Sequence, residues 1–415
     1  MMEHEAYALY MEQGTGKTLP VLFHLAHLIS IEEIRNAIII APLSTMGAWT
    51  RDIGKLPPVR QAQLKGRVTI INYDKVWRRK EILATTWDCM VLDEAHAIKH
   101  RTSNRSKAVR KMSTKAKYRY ILTGTPMSNG HLEEYWAQFD FLDPGIFGRY
   151  EDFEDRYCYV NQFFKPYKYK RVEELKQIIA EHSYRVTKEE CLDLPEKLED
   201  EVIAVELRER AKYKQMLDNF IAELAIAAEN PLTRTIKLRQ LCSGFIKDED
   251  GQTIELKSDK ISVVEELLEA RGEKKTVIFA EFKHSIARIR RLLERMKIQH
   301  VTLDGDQKDK TIWKDFQADP SIQVIVCQYQ TANAGIDLYA SDTMIFYEPT
   351  LSSMINEQAK DRIHRIGQHH PCSYYYLITK GTIEVKIYNT LIKGRDFGKE
   401  VLLDFVRQQG GNHDG

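Results

Sequence analysis

Five residues, Gly14-Thr15-Gly16-Lys17-Thr18, sit between an apolar run at 7–11 and a second apolar stretch at 19–28. A strand, a glycine-rich turn and a helix in that order fit few architectures. Glycines let backbone N–H groups approach phosphate oxygens, and the following helix N-terminus favours negative charge. Lys17 can then reach β and γ oxygens, and the Thr18 hydroxyl can take Mg2+. The strict form of this loop wants glycine at position 11, where the chain has Met11, so on these residues alone a chance glycine-rich turn stays open. Asp93-Glu94-Ala95-His96 ends another apolar run, 89–92, and strand ends are where parallel sheets bind ligands. There Asp93 is placed to hold Mg2+ and Glu94 to orient and deprotonate an attacking water. A solvated acidic turn is the alternative for the tetrapeptide by itself. The upstream phosphate loop weighs against it.

Apolar runs at 7–11, 37–40, 69–71, 89–92 and 120–122 alternate with helical or loop stretches, and so do 276–279, 300–303, 323–327, 343–347 and 373–378. Short strands flanked by helices predict α/β architecture with mostly parallel sheets. A chain of 415 residues, 43% hydrophobic, is also longer than one core usually grows. The expectation is two sheet domains, 1–145 and 261–408, joined by a mainly helical insertion or linker, 146–260, with amphipathic stretches near 208–227. One more helical stretch is expected after Gly381, to about residue 407, and 409–415, Gly-rich and polar, as a disordered tail.

The 61 Lys+Arg nearly cancel 60 Asp+Glu, so a nucleic-acid surface must be a local patch and not a global field. The sharpest patch is 95–132, which has no Asp or Glu while Lys99, Arg101, Arg105, Lys107, Arg110, Lys111, Lys115, Lys117 and Arg119 accumulate. Such residues give sequence-independent phosphate affinity; a solvated basic helix is the alternative. A second basic-aromatic run, Phe164-Lys165-Pro166-Tyr167-Lys168-Tyr169-Lys170-Arg171, could touch backbone or stack on bases. Six cysteines without C-x-x-C spacing argue against a zinc cluster or a disulfide framework. No secretory leader pattern and no run of about 18 apolar residues occurs. A cytoplasmic protein with no membrane association and no structural metal is expected.

Further strings accompany the two nucleotide motifs. They are Ala41-Pro42-Leu43-Ser44 followed by Trp49, Ile98-Lys99 after the acidic motif, and Leu122-Thr123-Gly124-Thr125-Pro126-Met127-Ser128-Asn129. The second half carries Gln330 to Leu338 (QTANAGIDL) and Gln358 to Gln368 (QAKDRIHRIGQ). With these, the chain resembles the Swi/Snf-type DNA translocases of helicase superfamily two, from about residue 7 to about residue 393. The resemblance implies two RecA-like domains in tandem, ATP and Mg2+ as cofactors, and double-stranded DNA as the track. It implies Arg362 and Arg365 as arginine fingers, Gln358 as a nucleotide sensor, and Gly335 and Asp337 as part of a second-domain motif near both ATP and DNA. His96, Thr123 and Thr125 would couple the Mg2+ site to domain closure, although for the two threonines a strand-to-turn cap is the plainer reading. Lys99 is the foremost DNA-contact candidate, with Arg101 and Arg105 beside it; Ser44, Thr331 and Asn333 follow by resemblance alone. Family members carry an upstream Gln-containing adenine-recognition segment, and none fits into 1–12.

These readings give a DNA-stimulated ATPase and duplex translocase serving replication, recombination or repair. It is expected as a minimal, monomeric motor from a bacterial, archaeal or viral source, nucleoid-associated and directed or activated by a protein partner. A strand-separating helicase on the same motor, and an ATP-gated nucleic-acid binding protein without translocation, are the alternatives.

Overall fold

A computed structural model describes residues 4–12, 14–43, 45–127, 130–162, 165–191, 193–226, 231–247, 252–309, 311–332 and 335–410. The chain divides into two compact units, Met1–Asp193 and Leu194–Gly415.

The first unit holds β1 (Ala6–Met11), β2 (Ala37–Ala41), β3 (Val68–Asn72), β4 (Cys89–Asp93) and β5 (Tyr118–Leu122). An antiparallel hairpin follows, β6 (Cys158–Val160) with β7 (Pro166–Tyr169), and then β8 (Ser183–Val186). Six of these strands form one all-parallel sheet in the order β3-β2-β4-β5-β1-β8. The central strands β2 and β4 are buried along their whole length. Alternation splits them between two cores: Ile38, Ile40, Met90 and Leu92 pack on one face, Ile39, Cys89 and Val91 on the other. A strand covered on both sides reads as a continuous apolar run and not as an alternating one. A further apolar cluster of Trp136, Phe153, Tyr157, Cys158 and Leu175 supports the hairpin.

The second unit contains β9 (Lys197–Val205), a hairpin of β10 (Phe245–Lys247) and β11 (Thr253–Glu255), β12 (Thr276–Ala280), β13 (His300–Leu303), β14 (Val324–Gln328), β15 (Thr343–Phe346) and β16 (Cys372–Thr379). Its sheet is again parallel, in the order β13-β14-β12-β15-β16-β9. Val277 and Phe279 face one core, Ile278 and Ala280 the other. The fold is therefore α/β with two parallel six-stranded sheets in tandem.

All ten strands expected from apolar runs are present. The stretch 146–260 departs from the expected helical insertion. It does contain helices, among them Arg210–Ile226 and Pro231–Cys242, but it divides between the units and gives each sheet an edge strand, β8 beside β1 and β9 beside β16. Four of the nine residues of β9 are charged, which suits an outermost strand, where charge discourages pairing with another chain. Two helices, Ile383–Leu391 and Lys399–Gly410, stand in place of the one expected near the C-terminus. The second includes residues 409 and 410 of the expected tail, and 411–415 lie outside the described residues. All six cysteines are free, and only Cys191 is exposed. Among the described residues no helix is long and apolar enough to cross a membrane.

One buried ion pair fastens the second unit. Lys260 and Glu384 are both fully buried, 2.7 Å apart. Lys260 Nζ also donates to Tyr347 O at 2.9 Å, and Glu384 Oε2 accepts from Thr379 N at 2.9 Å. The pair thus ties two helices to the ends of β15 and β16. Removing one partner strands the other charge in the core, so Glu384→Ala is expected to lower the urea-unfolding free energy by about 3–5 kcal/mol. Glu384→Ala together with Lys260→Met should recover much of that loss.

Candidate nucleotide and nucleic-acid sites

The segments that leave the C-terminal ends of β1, β4 and β5 meet at one edge of the first sheet. After β1 the chain turns through Gly14 and Gly16, both at positive φ (87° and 79°), a conformation glycine adopts without strain. The helix Thr18–Ser30 then starts at Thr18, with Lys17 as its N-cap residue. Thr15 Oγ1 donates to Glu12 O at 2.7 Å. Lys17 Nζ donates to Met11 O at 3.3 Å and lies 3.6 Å from Glu94 Oε1, with side-chain exposures of 11% and 9%. Little water screens that attraction.

β4 delivers the two carboxylates to different surroundings. Asp93 Oδ2 accepts from Trp49 Nε1 at 2.8 Å and Thr45 Oγ1 at 2.9 Å, and Asp93 O accepts from Tyr73 OH at 2.8 Å. Burial, and after it the neighbouring Glu94 charge, push the Asp93 carboxyl above its ordinary range; Lys17 and the two hydrogen bonds pull the other way. Glu94 sits in the left-handed region (φ 50°, ψ 56°), which costs a non-glycine residue about 1–3 kcal/mol and clusters at functional sites. Its Oε2 lies 3.3 Å from His96 Nδ1 and accepts from Thr123 Oγ1 at 3.4 Å. Thr123 Oγ1 in turn accepts from Thr125 N at 3.1 Å and is 3.4 Å from His96 Nδ1. The cap reading of the threonines and the link to Glu94 therefore meet in one hydroxyl.

In the second unit, the loop after the helix Ser353–Lys360 carries both arginines. Arg365 pairs with Asp337 and donates from Nη1 to Ile336 O at 3.2 Å; Arg362 is 6% exposed and its carbonyl accepts from Leu338 N at 2.9 Å. Gln358 is nearly buried at the end of that helix, and Gly335 has φ 54°. Gln368 Nε2 donates to Ser341 O at 2.8 Å, Tyr339 O at 3.3 Å and Ile363 O at 3.2 Å, while its Oε1 accepts from His369 N and His370 N. A Cβ at Gly367, φ 100°, would come within 3.0 Å of the Tyr339 ring. The loop is thus held by specific bonds on both sides of Arg365.

The model of the SNF2-related domain matches residues 3–245, and that of the helicase conserved C-terminal domain matches 259–367. The chain belongs to the SNF2 family. A relative in Bacillus subtilis, provisionally named an ATP-dependent helicase/translocase, is 28% identical over 414 residues, covering 91% of this chain and 44% of the relative. An uncharacterized ATP-dependent helicase of Mycoplasma genitalium is 28% identical over 423 residues, covering 95% and 40%. The Sulfolobus solfataricus SWI2/SNF2 ATPase core in complex with double-stranded DNA is 25% identical and covers 96% of this chain and 88% of that one, with a TM-score of 0.42. This SNF2-family chain spans less than half the length of the two bacterial relatives.

The basic run of this SNF2-family chain does not form one surface. Lys99 follows a 3-10 turn, Ala95–Ile98, and pairs with buried Glu134 at 3.3 Å. Arg101 lies over the Tyr150 ring at 3.7 Å, and Arg105 pairs with Asp74 at 3.4 Å. Arg110 is tied inward, to Asp140 at 2.6 Å and over Trp136. Lys117 precedes β5 and pairs with Glu33, so it belongs to the sheet edge opposite the phosphate loop. Thr331 Oγ1 shares its one proton between Leu303 O at 2.7 Å and Gln328 O at 2.8 Å, a bonding role within its own unit. Ser44, Asn333 and Phe164 lie outside the described residues. Thr45 and Tyr73, which hold Asp93 together with Trp49, carry no sequence signal of a site; Trp49 has one, its place after Ala41-Pro42-Leu43. Trp49 is 1% exposed. Trp49→Phe keeps most of its volume and removes the indole N–H, so unfolding in urea is expected at a stability lower by about 1.5–3 kcal/mol. An unchanged midpoint would mean the bond to Asp93 contributes nothing.

Proposed function

We propose that the chain is a DNA-dependent ATPase that moves along double-stranded DNA, hydrolysing ATP to ADP and phosphate. The observation that carries this reading is the convergence of Lys17, Glu94 and Asp93 on the phosphate-loop edge of the first sheet, with Lys17 and Glu94 3.6 Å apart. On this reading the loop 14–18 binds the phosphates through backbone N–H groups, and Lys17 exchanges Glu94 for β and γ oxygens. Glu94 then accepts the proton of the attacking water, held by the strained backbone that aims it.

The donor set suits Mg2+. Asp93 and Thr18 offer hard oxygens, and a carboxylate whose burial disfavours its charge gains from a cation. Mg2+ usually takes one or two protein oxygens and fills its other positions with phosphates and waters. When bound, it would neutralise charge on the β and γ phosphates. Arg365, and with it Arg362, would supply positive charge to the γ-phosphate during hydrolysis. The ion pair of Arg365 with Asp337 is the resting arrangement it would leave.

Lys17→Ala and Glu94→Gln are each expected to abolish turnover in a phosphate-release assay. Arg365→Ala should keep the affinity for a fluorescent ATP analogue while kcat falls about 10³-fold or more, the usual worth of an arginine finger. Normal turnover in that variant would defeat its assignment.

Family membership and the basic side chains Lys99, Arg101 and Arg105 support duplex DNA as the track. The proposed setting is the cytoplasm, on the nucleoid, as a monomer directed by a protein partner in replication, recombination or repair. The decisive measurement is steady-state ATP hydrolysis with no nucleic acid, single-stranded DNA, duplex DNA and duplex RNA, each at low and moderate salt. Duplex DNA is expected to stimulate most and salt to weaken the effect; stimulation by none of them would overturn the reading, and release of a labelled strand would favour a strand-separating helicase.

A further inference from the structure

A second basic surface of the first unit is attached to the same support as Lys99. In the hairpin, Cys158 stands opposite Tyr169 and Tyr159 opposite Lys168. Because side chains alternate across a strand, the two pairs face opposite ways. Cys158 is buried in the apolar cluster and Tyr169 packs against it, whereas Tyr159 is 44% exposed and Lys168 is exposed. The ammonium groups of Lys168 and Lys170 lie 5.9 Å and 5.1 Å from the centre of the Tyr159 ring, a cation–π arrangement that gathers two long side chains at one aromatic ring.

Charge here has one sign. From 158 to 171 there is no Asp or Glu, and Lys165, Lys168, Lys170 and Arg171 are all present. Glu174, which follows, is taken by Arg156 at 2.7 Å and Arg171 at 3.8 Å. The inner side of the hairpin is fastened by Tyr169 OH, which donates to Glu133 Oε2. The next residue, Glu134, holds Lys99. Tyr150, under the Arg101 guanidinium, meets Trp136 edge-on at 5.4 Å, and Trp136 belongs to the cluster that carries Cys158. Hairpin, Lys99 and Arg101 therefore rest on one start of one helix, Glu134–Leu142.

We infer that the outer face of the hairpin, through Lys168 and Lys170 beside Tyr159 and with exposed Lys165 just before β7, binds the sugar-phosphate backbone of duplex DNA and lengthens the track that begins at Lys99 and Arg101. The inference rests on the proposed reading of DNA as substrate. It names backbone and not bases because a face of Tyr159 that could stack on a base already carries the lysines, so the hairpin offers outward charge, which phosphate answers.

The test uses the full chain and a fluorescently labelled duplex, with affinity measured by anisotropy across a salt series. Each phosphate contact contributes about 0.9 to the slope of log affinity against log salt. The triple variant Lys165→Gln, Lys168→Gln, Lys170→Gln is expected to lose about 2–3 from that slope and to bind more weakly at every salt, with an unchanged thermal midpoint. A control triple that removes exposed lysines elsewhere, Lys65→Gln, Lys80→Gln, Lys314→Gln, should keep the parent slope. A hairpin variant that binds like the parent, or a control that loses as much, overturns the inference while the function stands. A parent chain that does not bind duplex DNA defeats the function itself.

Discussion

Every strand of the first sheet runs the same way, and the chemistry of that unit depends on it. Parallel alignment puts the ends of β1, β4 and β5 at a single edge, and the order β4-β5-β1 sets their spacing. Adjacent strands lie about 4.8 Å apart, so the phosphate loop and the acidic pair are separated by one strand. Long side chains bridge that gap from both sides, Lys17 from β1 and Glu94 from β4. The intervening strand ends at Leu122, and Thr123, the next residue, meets both neighbours: its N–H donates to Leu9 O at 3.2 Å and its hydroxyl to Glu94. Insert another strand, or reverse one, and these groups could not touch.

How much of this was legible in the sequence follows from burial. β2 reads Ala-Ile-Ile-Ile-Ala and β12 Thr-Val-Ile-Phe-Ala because helices cover both faces, and such runs announce themselves. β8 and β9 do not, since an edge strand half in water needs no apolar pattern: Lys197-Leu198-Glu199-Asp200-Glu201 looks like a solvated turn until Asp200 is seen pairing with Lys360 at 2.6 Å. The phosphate loop and acidic motif were legible because their residue types follow from phosphate chemistry. The hydrogen bonds that hold Asp93 were not, because Thr45 and Tyr73 are ordinary residues whose significance lies in where β2 and β3 end. The run 95–132 misled in a different way. Charge along a chain says nothing of direction, and a helix followed by a strand carried Lys99 and Lys117 to opposite edges of the sheet.

The second unit solves a different problem, how to present arginines on a loop without letting it wander. Gln368 spends its amide on five backbone groups, and Gly367, at a φ that side chains rarely adopt, admits the Tyr339 ring 3.0 Å from where a Cβ would stand. His364 Nε2, 2.7 Å from Pro195 O, ties the same loop to the segment that leads into β9. Arg365 is held at its tip by Asp337, an exchangeable partner, while the scaffold beneath it is not exchangeable. Rigidity and availability are thus assigned to different residues of one short segment.

A hydroxyl owns a single proton, and at Thr123 two groups, the Glu94 carboxylate and the His96 imidazole, can take it. While that proton points at Glu94, the oxygen keeps its lone pairs for the Thr125 N–H and for His96 in the tautomer that carries hydrogen on Nδ1. Turn the proton toward His96 and Glu94 loses a donor, while the imidazole must present an unprotonated Nδ1. The orientation of one O–H bond therefore decides whether Thr123 donates to the carboxylate or to the imidazole. The turn that begins at Thr125 is bonded to that same oxygen through its N–H, so a single hydroxyl joins the turn, the carboxylate and the imidazole.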